Sequence, residues 1–164
     1  MNLRVRINND AFERIRARVR AMELSEGDRR GPVLIALGRT HVDQVKAAFT
    51  SRGRSVATGP WPPWSARYAG WRRRHGLGSR MLRLTDTMYG KFTQPSHPSH
   101  IRRWDGGMAF TFGAFDDVAA WHQEGAGHLP VRSVVDKTVG DHRELVSTFS
   151  DFYRKRVRQV LRHA

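Results

Sequence analysis

The stretch "DHRELVSTFSDFYRKRVRQVLRHA", residues 141–164, constrains the fold most. Its apolar side chains recur at helical spacing, and its arginines cluster toward the end, where positive charge suits the negative pole of a helix. Asp141 and Glu144 stand in capping-box spacing at its start. The pattern therefore predicts a long C-terminal helix with one apolar face, formed by Leu145, Phe149, Phe152, Val157 and Val160 or Leu161.

Two further helices are predicted near the beginning of the chain. Asn9 or Asp10 is placed to cap the first, and the breaker "EGDRRGP" separates it from the second. Pro32 is placed to open the second helix, which ends before Gly53. The two are expected to form a hairpin, with apolar faces made of Phe12, Ile15, Val19 and Met22 in the first and of Leu34, Leu37, Val42, Val45 and Phe49 in the second.

The centre of the chain is rich in glycine, proline and serine and is expected to be largely irregular. Trp64, Tyr68 and Trp71 then recur at helical spacing, and "RMLRLTDTMYGKF" predicts another short helix with Leu84 and Met88 facing inward. Alternation in "HIRRW" and "GMAFTFGAF" predicts a β-hairpin. Its turn is expected at residues 105–107, with Phe110 and Phe112 on one face.

Together these elements predict one α+β domain over residues 1–164. An N-terminal helical hairpin and a long C-terminal helix surround a small antiparallel sheet, with a long irregular central segment. The chain has no cysteine, which excludes disulfides, thiolate metal sites and a cysteine nucleophile. No apolar run is long enough for a membrane span, and the first ten residues lack the apolar region of a signal peptide. We expect a soluble protein of cytoplasmic origin, without membrane contact.

Charge is distributed unevenly along the chain. The formal net charge is +14, and 25 arginines stand against 4 lysines. Residues 61–104 carry 9 basic and 1 acidic side chains, whereas residues 105–140 carry 2 basic and 5 acidic ones. Arginine suits bidentate contact with carboxylates or phosphates, so this bias points to interfaces.

The segment "DDVAAWHQEGAGHLPVR", residues 116–132, has the residue types of an active site or a metal site. His122 and Glu124 form the H-x-E of zinc deaminases, but the cysteines that complete that site are absent. His122 and His128 do not have the spacing of two zinc ligands on one helical face. We therefore expect no metal and no cofactor. Instead, Asp116 or Asp117 should cap a short helix, and His122 and Gln123 should fix a turn.

The basic, aromatic residues in the middle of the chain suggest an alternative hypothesis, that the protein binds nucleic acid. Trp61, Trp64, Tyr68 and Trp71 are interleaved with Arg67 and residues 72–74, and such a surface could stack bases and neutralise phosphates. The alternative is that the aromatic residues form a packed face and the arginines a solvated one. No helix-turn-helix or zinc-finger signature is present.

Three segments in order resemble the phage virion morphogenesis family, the tail-completion and neck proteins of Mu-like and related tailed phages. That family shows a W-x-P-L-S element, an I-L-x-x-T-G-x-L element, a strand ending in glycine, then Y-A-x-x-H-Q-x-G and P-x-R. The resemblance covers about residues 58–135, and Trp64, Asp86 and Val118 depart from the pattern. The matching positions are Trp61, Pro63 and Ser65, then Met81, Leu82, Thr85 and Met88, then Gly113, Ala119, His122, Gln123, Gly125, Pro130 and Arg132.

The resemblance implies a non-enzymatic structural protein of the virion neck or tail. It would complete tails and join them to filled heads as a homo-oligomeric ring, expected as a hexamer. Its partners would be the head–tail connector or adaptor and the tail-tube or tail-terminator proteins, with non-specific contact to DNA in the channel. The basic and acidic regions suggest contacts between subunits, with Arg72, Arg73 or Arg74 near Asp116, Asp117 or Glu124. The alternative is a basic DNA-binding module without enzymatic activity.

Overall fold

The computed structural model describes residues 25–106 and 109–162, together with the isolated positions 17, 20 and 23. The described chain is α+β, with helices around one two-stranded antiparallel sheet. The predicted first helix, and with it the N-terminal hairpin, lies outside the described residues. The elements are α1 (Glu26–Asp28), a π-helical turn (Arg29–Val33), α2 (Leu34–Ser51), α3 (Ala66–Arg74), α4 (Thr87–Thr93), β1 (His100–Gly106), β2 (Ala109–Ala114), α5 (Asp117–Glu124) and α6 (Val139–Arg162).

The helical run that leads into α2 begins earlier than predicted. Ser25 and Asp28 form a capping box in which each side chain bonds the other residue's backbone N–H. Pro32 therefore does not open the helix but falls inside the π-helical turn. The prediction from Pro32 was wrong because the Ser25 cap already satisfies the first backbone donors upstream of it.

Helix α2 presents its predicted apolar face to the core. Leu37, Val42, Val45 and Phe49 are buried. The helix ends as expected before Gly53, through a left-handed residue at Arg52 (φ 56°). A left-handed residue is a common helix terminus because it lets the last carbonyls accept hydrogen bonds from the following backbone.

The β-hairpin packs beside α2. β1 pairs with β2 from His100 opposite Ala114 to Gly106 opposite Ala109, with an irregularity between Trp104 and Gly106. The predicted turn was placed too early, because Gly106 is still paired in the sheet. Phe110 and Phe112 lie on one face, as predicted, and both pack against the buried pair Val33 and Leu37.

The segment before α4 is not helical as predicted. Residues 80–86 form turns, and α4 begins only at Thr87. Leu82 and Asp86 have positive φ angles of 55° and 58°, which a continuous right-handed helix does not allow. Leu84 is consequently 49% exposed instead of facing inward, whereas Met88 is buried as expected.

Helix α6 is the predicted long C-terminal helix, but its cap differs. The side chains of Thr138 and Asp141 each bond the other residue's backbone N–H, so the capping box starts at Thr138. The Glu144 carboxylate instead accepts a hydrogen bond from the Gln44 side chain of α2 at 2.9 Å. No described helix is both long and apolar enough to cross a membrane. On the predicted apolar face, Leu145, Phe149 and Phe152 pack against the buried pair Val33 and Leu37, whereas Leu161 is exposed.

Candidate functional site

Helix α5 is held at both ends, which fixes His122 and Gln123 on its last turn. At the start, the Asp116 carboxylate accepts the backbone N–H of Ala119 at 2.7 Å and pairs with Lys91 Nζ at 2.9 Å. At the end, Gly125 takes a left-handed conformation (φ 70°). A Cβ at Gly125 would lie 2.8 Å from Val131 Cγ2, so glycine allows the chain to fold back closely.

The returning segment is bonded to the last turn of α5. The backbone N–H of Arg132 donates to the carbonyl of His122 at 2.7 Å. Gln123 Oε1 accepts from Ser133 Oγ at 2.9 Å and from the N–H of Val134 at 3.2 Å. His122 and Gln123 therefore fix the turn, as predicted. The backbone carbonyl of His122 and the side-chain amide oxygen of Gln123 hold residues 132–134 in place.

Arg132 connects this segment to the double proline of "WPPW". Its side chain is buried, Nε donates to the carbonyl of Pro62 at 3.0 Å, and Nη2 donates to the carbonyl of Pro63 at 3.1 Å. Pro62 precedes another proline and is therefore restricted to an extended backbone. Burial lowers the pKa of Arg132, and nearby Tyr68 opposes that shift.

Trp61 completes this contact from the other side. Its ring is buried, and Nε1 donates to the carbonyl of Ser133 at 2.7 Å. The ring packs edge-on against Phe49 of α2 at a centroid distance of 5.6 Å. It also covers Gly53, where a Cβ would lie 2.3 Å from the indole Cδ1. We call the set Trp61, Pro62, Pro63, His122, Gln123, Arg132, Ser133 and Val134 the junction.

The junction uses its polar atoms to connect backbone segments. Ser133 is fully buried, and its Oγ donates to Gln123 and accepts the N–H of Asp136 at 3.1 Å. Burial, followed by the positive charge of Arg132, lowers the pKa of His122 and so favours its neutral ring. Its Nδ1 is buried without a hydrogen-bond partner in the described chain.

The other candidate ligands of the segment do not gather around His122. Glu124 and His128 are exposed. Within residues 25–106 and 109–162, no three side chains of His, Asp or Glu are close enough to hold a metal ion. The hydrogen bonds of the junction join distant parts of the backbone.

The second motif segment joins the same core as the junction. Met81 and Met88 are buried in the cluster that contains Trp61, and Leu82 packs against it. Asp86 takes the left-handed conformation that glycine adopts most easily, at the position where the family pattern has glycine. Thr85 is exposed, and its hydroxyl lies 2.9 Å from that of Thr87. The buried cluster consists of Val45, Ala48, Phe49, Val56, Trp61, Met81, Met88, Phe92, Ala119 and Val134.

The remaining motif positions have local structural roles. Ser65 caps α3 by accepting the N–H of Tyr68 at 3.3 Å. Gly113 is buried in β2 opposite Ile101, and Pro130 is half-buried in the turn after α5. Gly113, Ala119 and Gln123 line an open cleft of about 250 Å³ between the hairpin and α5.

The predicted basic contact residues differ in accessibility. Arg72 is buried, with its guanidinium 4.4 Å from the Trp64 ring centroid and bonded to the carbonyl of Gly78. Its guanidinium is therefore occupied within the described chain, whereas Arg73 and Arg74 are exposed. A cation–π contact of this kind stabilises the packing of α3 against the preceding segment, which contains Trp64.

The predicted acidic contact residues divide in the same way. The Asp116 side chain is only 4% exposed and is occupied by the α5 cap and by Lys91. Asp117 and Glu124 are exposed on the outer side of α5. Of the predicted intersubunit residues, Arg73, Arg74, Asp117 and Glu124 are thus available for such contacts.

Sequence reasoning missed several residues on which the junction depends. Gly53 makes room for Trp61, Pro62 supplies one carbonyl to Arg132, and Ser133 binds both Trp61 and Gln123. The sequence shows both the double proline and the "VRS" that follows Pro130. It does not show that they are hydrogen-bonded to each other, because they lie about seventy residues apart in the chain.

Comparison of the chain with known protein families, with curated proteins and with solved structures finds no match.

Proposed function

We propose that this chain is a structural virion protein of a tailed phage or phage-like particle, acting in tail completion and head–tail joining. It acts as a homo-oligomeric ring at the neck or at the top of the tail. Its neighbours are the head–tail connector or adaptor on one side and tail-tube or tail-terminator proteins on the other. The protein works without a cofactor and is incorporated into the particle after synthesis in the host cytoplasm.

One observation carries the proposal. Motif positions from separate segments, Trp61, Gln123 and Arg132, meet in one connected set of buried and partly buried hydrogen bonds. Residues selected only for their likeness to the family pattern thus connect distant segments of the chain. The left-handed backbone at Asp86, where the pattern has glycine, is a second point of agreement.

A gene deletion tests the proposal in the strain that produces the particle. We expect filled heads and separate tails by negative-stain electron microscopy, and restoration of joined particles by the wild-type chain supplied in trans. The Arg132→Ala variant should restore few particles, because the junction loses its central side chain. Arg54→Ala also removes one arginine but changes an exposed site, and it should restore them fully. Normal joined particles in the deletion strain would contradict the proposal.

A basic DNA-binding module is the second candidate, and the charge favours it. The net charge is +14, and Arg67, Arg73, Arg74 and Arg158 are exposed. A chain with this charge should bind duplex DNA with an affinity that falls steeply with salt, whichever function is correct. Competition between unrelated DNA sequences separates the two: a preference that persists at physiological salt favours the DNA-binding module, and equal binding favours the virion protein.

A further inference from the structure

Helices α3 and α5 carry outward-facing stripes of the same geometry and opposite charge. On α3 the stripe is Arg67, Trp71 and Arg74, and on α5 it is Asp117, Trp121 and Glu124. In both, a tryptophan stands four residues after the first charge and three before the second. Residues at this spacing lie along one face of a helix.

Both stripes are accessible on the described chain. Trp71 is 38% exposed and Trp121 is 50% exposed, and the four flanking charged residues are exposed as well. Tyr68 stacks on Trp71, and the His75 ring lies 4.7 Å from the Trp71 ring, centroid to centroid. On α5, Phe115 and Val118 extend the apolar surface, with exposures of 72% and 47%.

Neither stripe has a charge partner of its own within the described residues. The ion pairs of that part of the chain involve other side chains, including Asp116 with Lys91 and Arg83 with Asp86. Two large exposed tryptophans, each flanked by like charges, have the composition of an interface centre with a polar rim.

We propose that the α5 stripe of one subunit binds the α3 stripe of a second copy of this chain. The tryptophans pack together, and Asp117 and Glu124 pair with Arg67 and Arg74. Because the two patches are different, the contact is heterologous and propagates from copy to copy, which closes a ring when the rotation allows it. The location of this contact in a particle rests on the proposed function, whereas the contact itself is argued from the exposure and charge of the two stripes.

Charge reversal tests the contact on the purified full-length chain. The variant Arg67→Glu/Arg74→Glu has two acidic stripes, and Asp117→Lys/Glu124→Lys has two basic ones. Each variant alone should self-associate at least about tenfold more weakly than wild type, because like charges face each other. An equimolar mixture should assemble again, since every contact then joins an acidic stripe to a basic one. Mass photometry and analytical ultracentrifugation at low salt measure the assemblies.

Matched controls change the same charge at other exposed sites. Arg54→Glu/Arg158→Glu and Asp43→Lys/Asp151→Lys should assemble as wild type does. Trp121→Ala should weaken assembly without lowering the thermal unfolding midpoint, because Trp121 lies outside both core clusters. Circular dichroism establishes that every variant is folded.

Two results would overturn the proposed contact: a wild-type chain that stays monomeric at its highest soluble concentration, or a mixture that does not regain assembly. Neither would affect the deletion experiment, which reads out particle joining. Conversely, normal particles without the gene would remove the virion role and leave the self-contact standing. The two proposals therefore fail separately.

Discussion

At the residue scale, Arg132 brings a positive charge into the interior without an ion pair to any carboxylate of the described residues. Among the described residues its side chain is met by the backbone carbonyls of Pro62 and Pro63. A buried charge is tolerated when hydrogen bonds replace the water it has lost. The arginine is in turn the donor that satisfies two carbonyls of a proline segment, whose residues offer no N–H of their own.

Replacing Arg132 with alanine should lower the free energy of unfolding by about 2–4 kcal/mol. The change removes two partly buried hydrogen bonds and leaves the carbonyls of Pro62 and Pro63 without the donor that the buried Arg132 side chain supplies. Urea denaturation followed by circular dichroism measures the loss. Arg54→Ala should change stability by less than about 0.5 kcal/mol, because that side chain is exposed. Equal losses in the two variants would show that Arg132 is not structurally special.

Gly53 and Gly59 form a natural pair for separating backbone strain from crowding. Their φ angles are 81° and 82°, but an added Cβ meets Trp61 at 2.3 Å in the first and nothing within 4 Å in the second. Both alanine variants should lose about 1 kcal/mol from the left-handed backbone. Gly53→Ala should lose a further 1–3 kcal/mol, roughly, because Trp61 must move. Chemical denaturation of both proteins tests this difference, and equal losses would contradict it.

At the scale of elements, His41 joins α2 to the hairpin. It is 3% exposed and stacks on Phe112 of β2 at a centroid distance of 5.5 Å. Its Nε2 has no hydrogen-bond partner in the described chain. Burial first, and then the charges of Lys137 and His100, lower the pKa of His41 from 6.5 to about 3. The contact between α2 and the sheet therefore requires a neutral imidazole.

This gives the protein a specific sensitivity to acid. The unfolded chain takes up a proton on His41 as the pH falls below about 6.5, whereas the folded chain resists it until about pH 3. Stability should therefore fall by about 1.4 kcal/mol per pH unit from this group, or about 2 kcal/mol between pH 6.5 and 5. Urea denaturation across this range should show a shallower decline for His41→Leu.

The matched control for this pH dependence is His128→Gln, at an exposed position. It should keep the wild-type decline, because this variant leaves the buried His41 unchanged. If His41→Leu and His128→Gln declined equally with pH, His41 would not be the source of the acid sensitivity.

At the scale of the whole molecule, α2 is shared by two cores. The larger one contains Val45 and Phe49 with the junction, and the smaller one contains Val33 and Leu37 with the hairpin and α6. Helix α6 contributes only partly buried side chains, such as Phe149. Stability should therefore be highest around α2 and the junction and lowest toward the end of α6.

Hydrogen–deuterium exchange followed by mass spectrometry tests this gradient. Backbone amides of residues 45–49 should exchange slowest. Those of residues 155–162 should exchange by local fraying, because no side chain there is buried. Equal protection along α2 and α6 would contradict the gradient and would indicate that a further contact covers the end of α6.

The sequence predictions were most accurate where the structure depends on interactions between residues close together in the chain. Three features that depend on neighbours within a few positions were predicted correctly. They are the apolar face of α2, the Asp116 cap of α5, and the placement of Phe110 and Phe112 on the same face of the hairpin. The errors at Pro32, at Leu84 and at the start of α6 arose where two local signals pointed to different boundaries. The Ser25 cap starts the helical run before Pro32, the left-handed Asp86 delays α4 until after Leu84, and the Thr138 cap starts α6 before Asp141.

The sequence by itself determined the α+β class, the apolar face of α2, the presence of the long C-terminal helix and the hairpin, because periodicity is a local property of a chain. Only the tertiary structure decided that Trp61 meets Ser133, that Arg132 meets the double proline, and that Arg72 and Asp116 turn inward. Those contacts join positions far apart in the chain, and no local pattern specifies such partners. They form because buried polar groups must find hydrogen-bond partners once the core has closed around them.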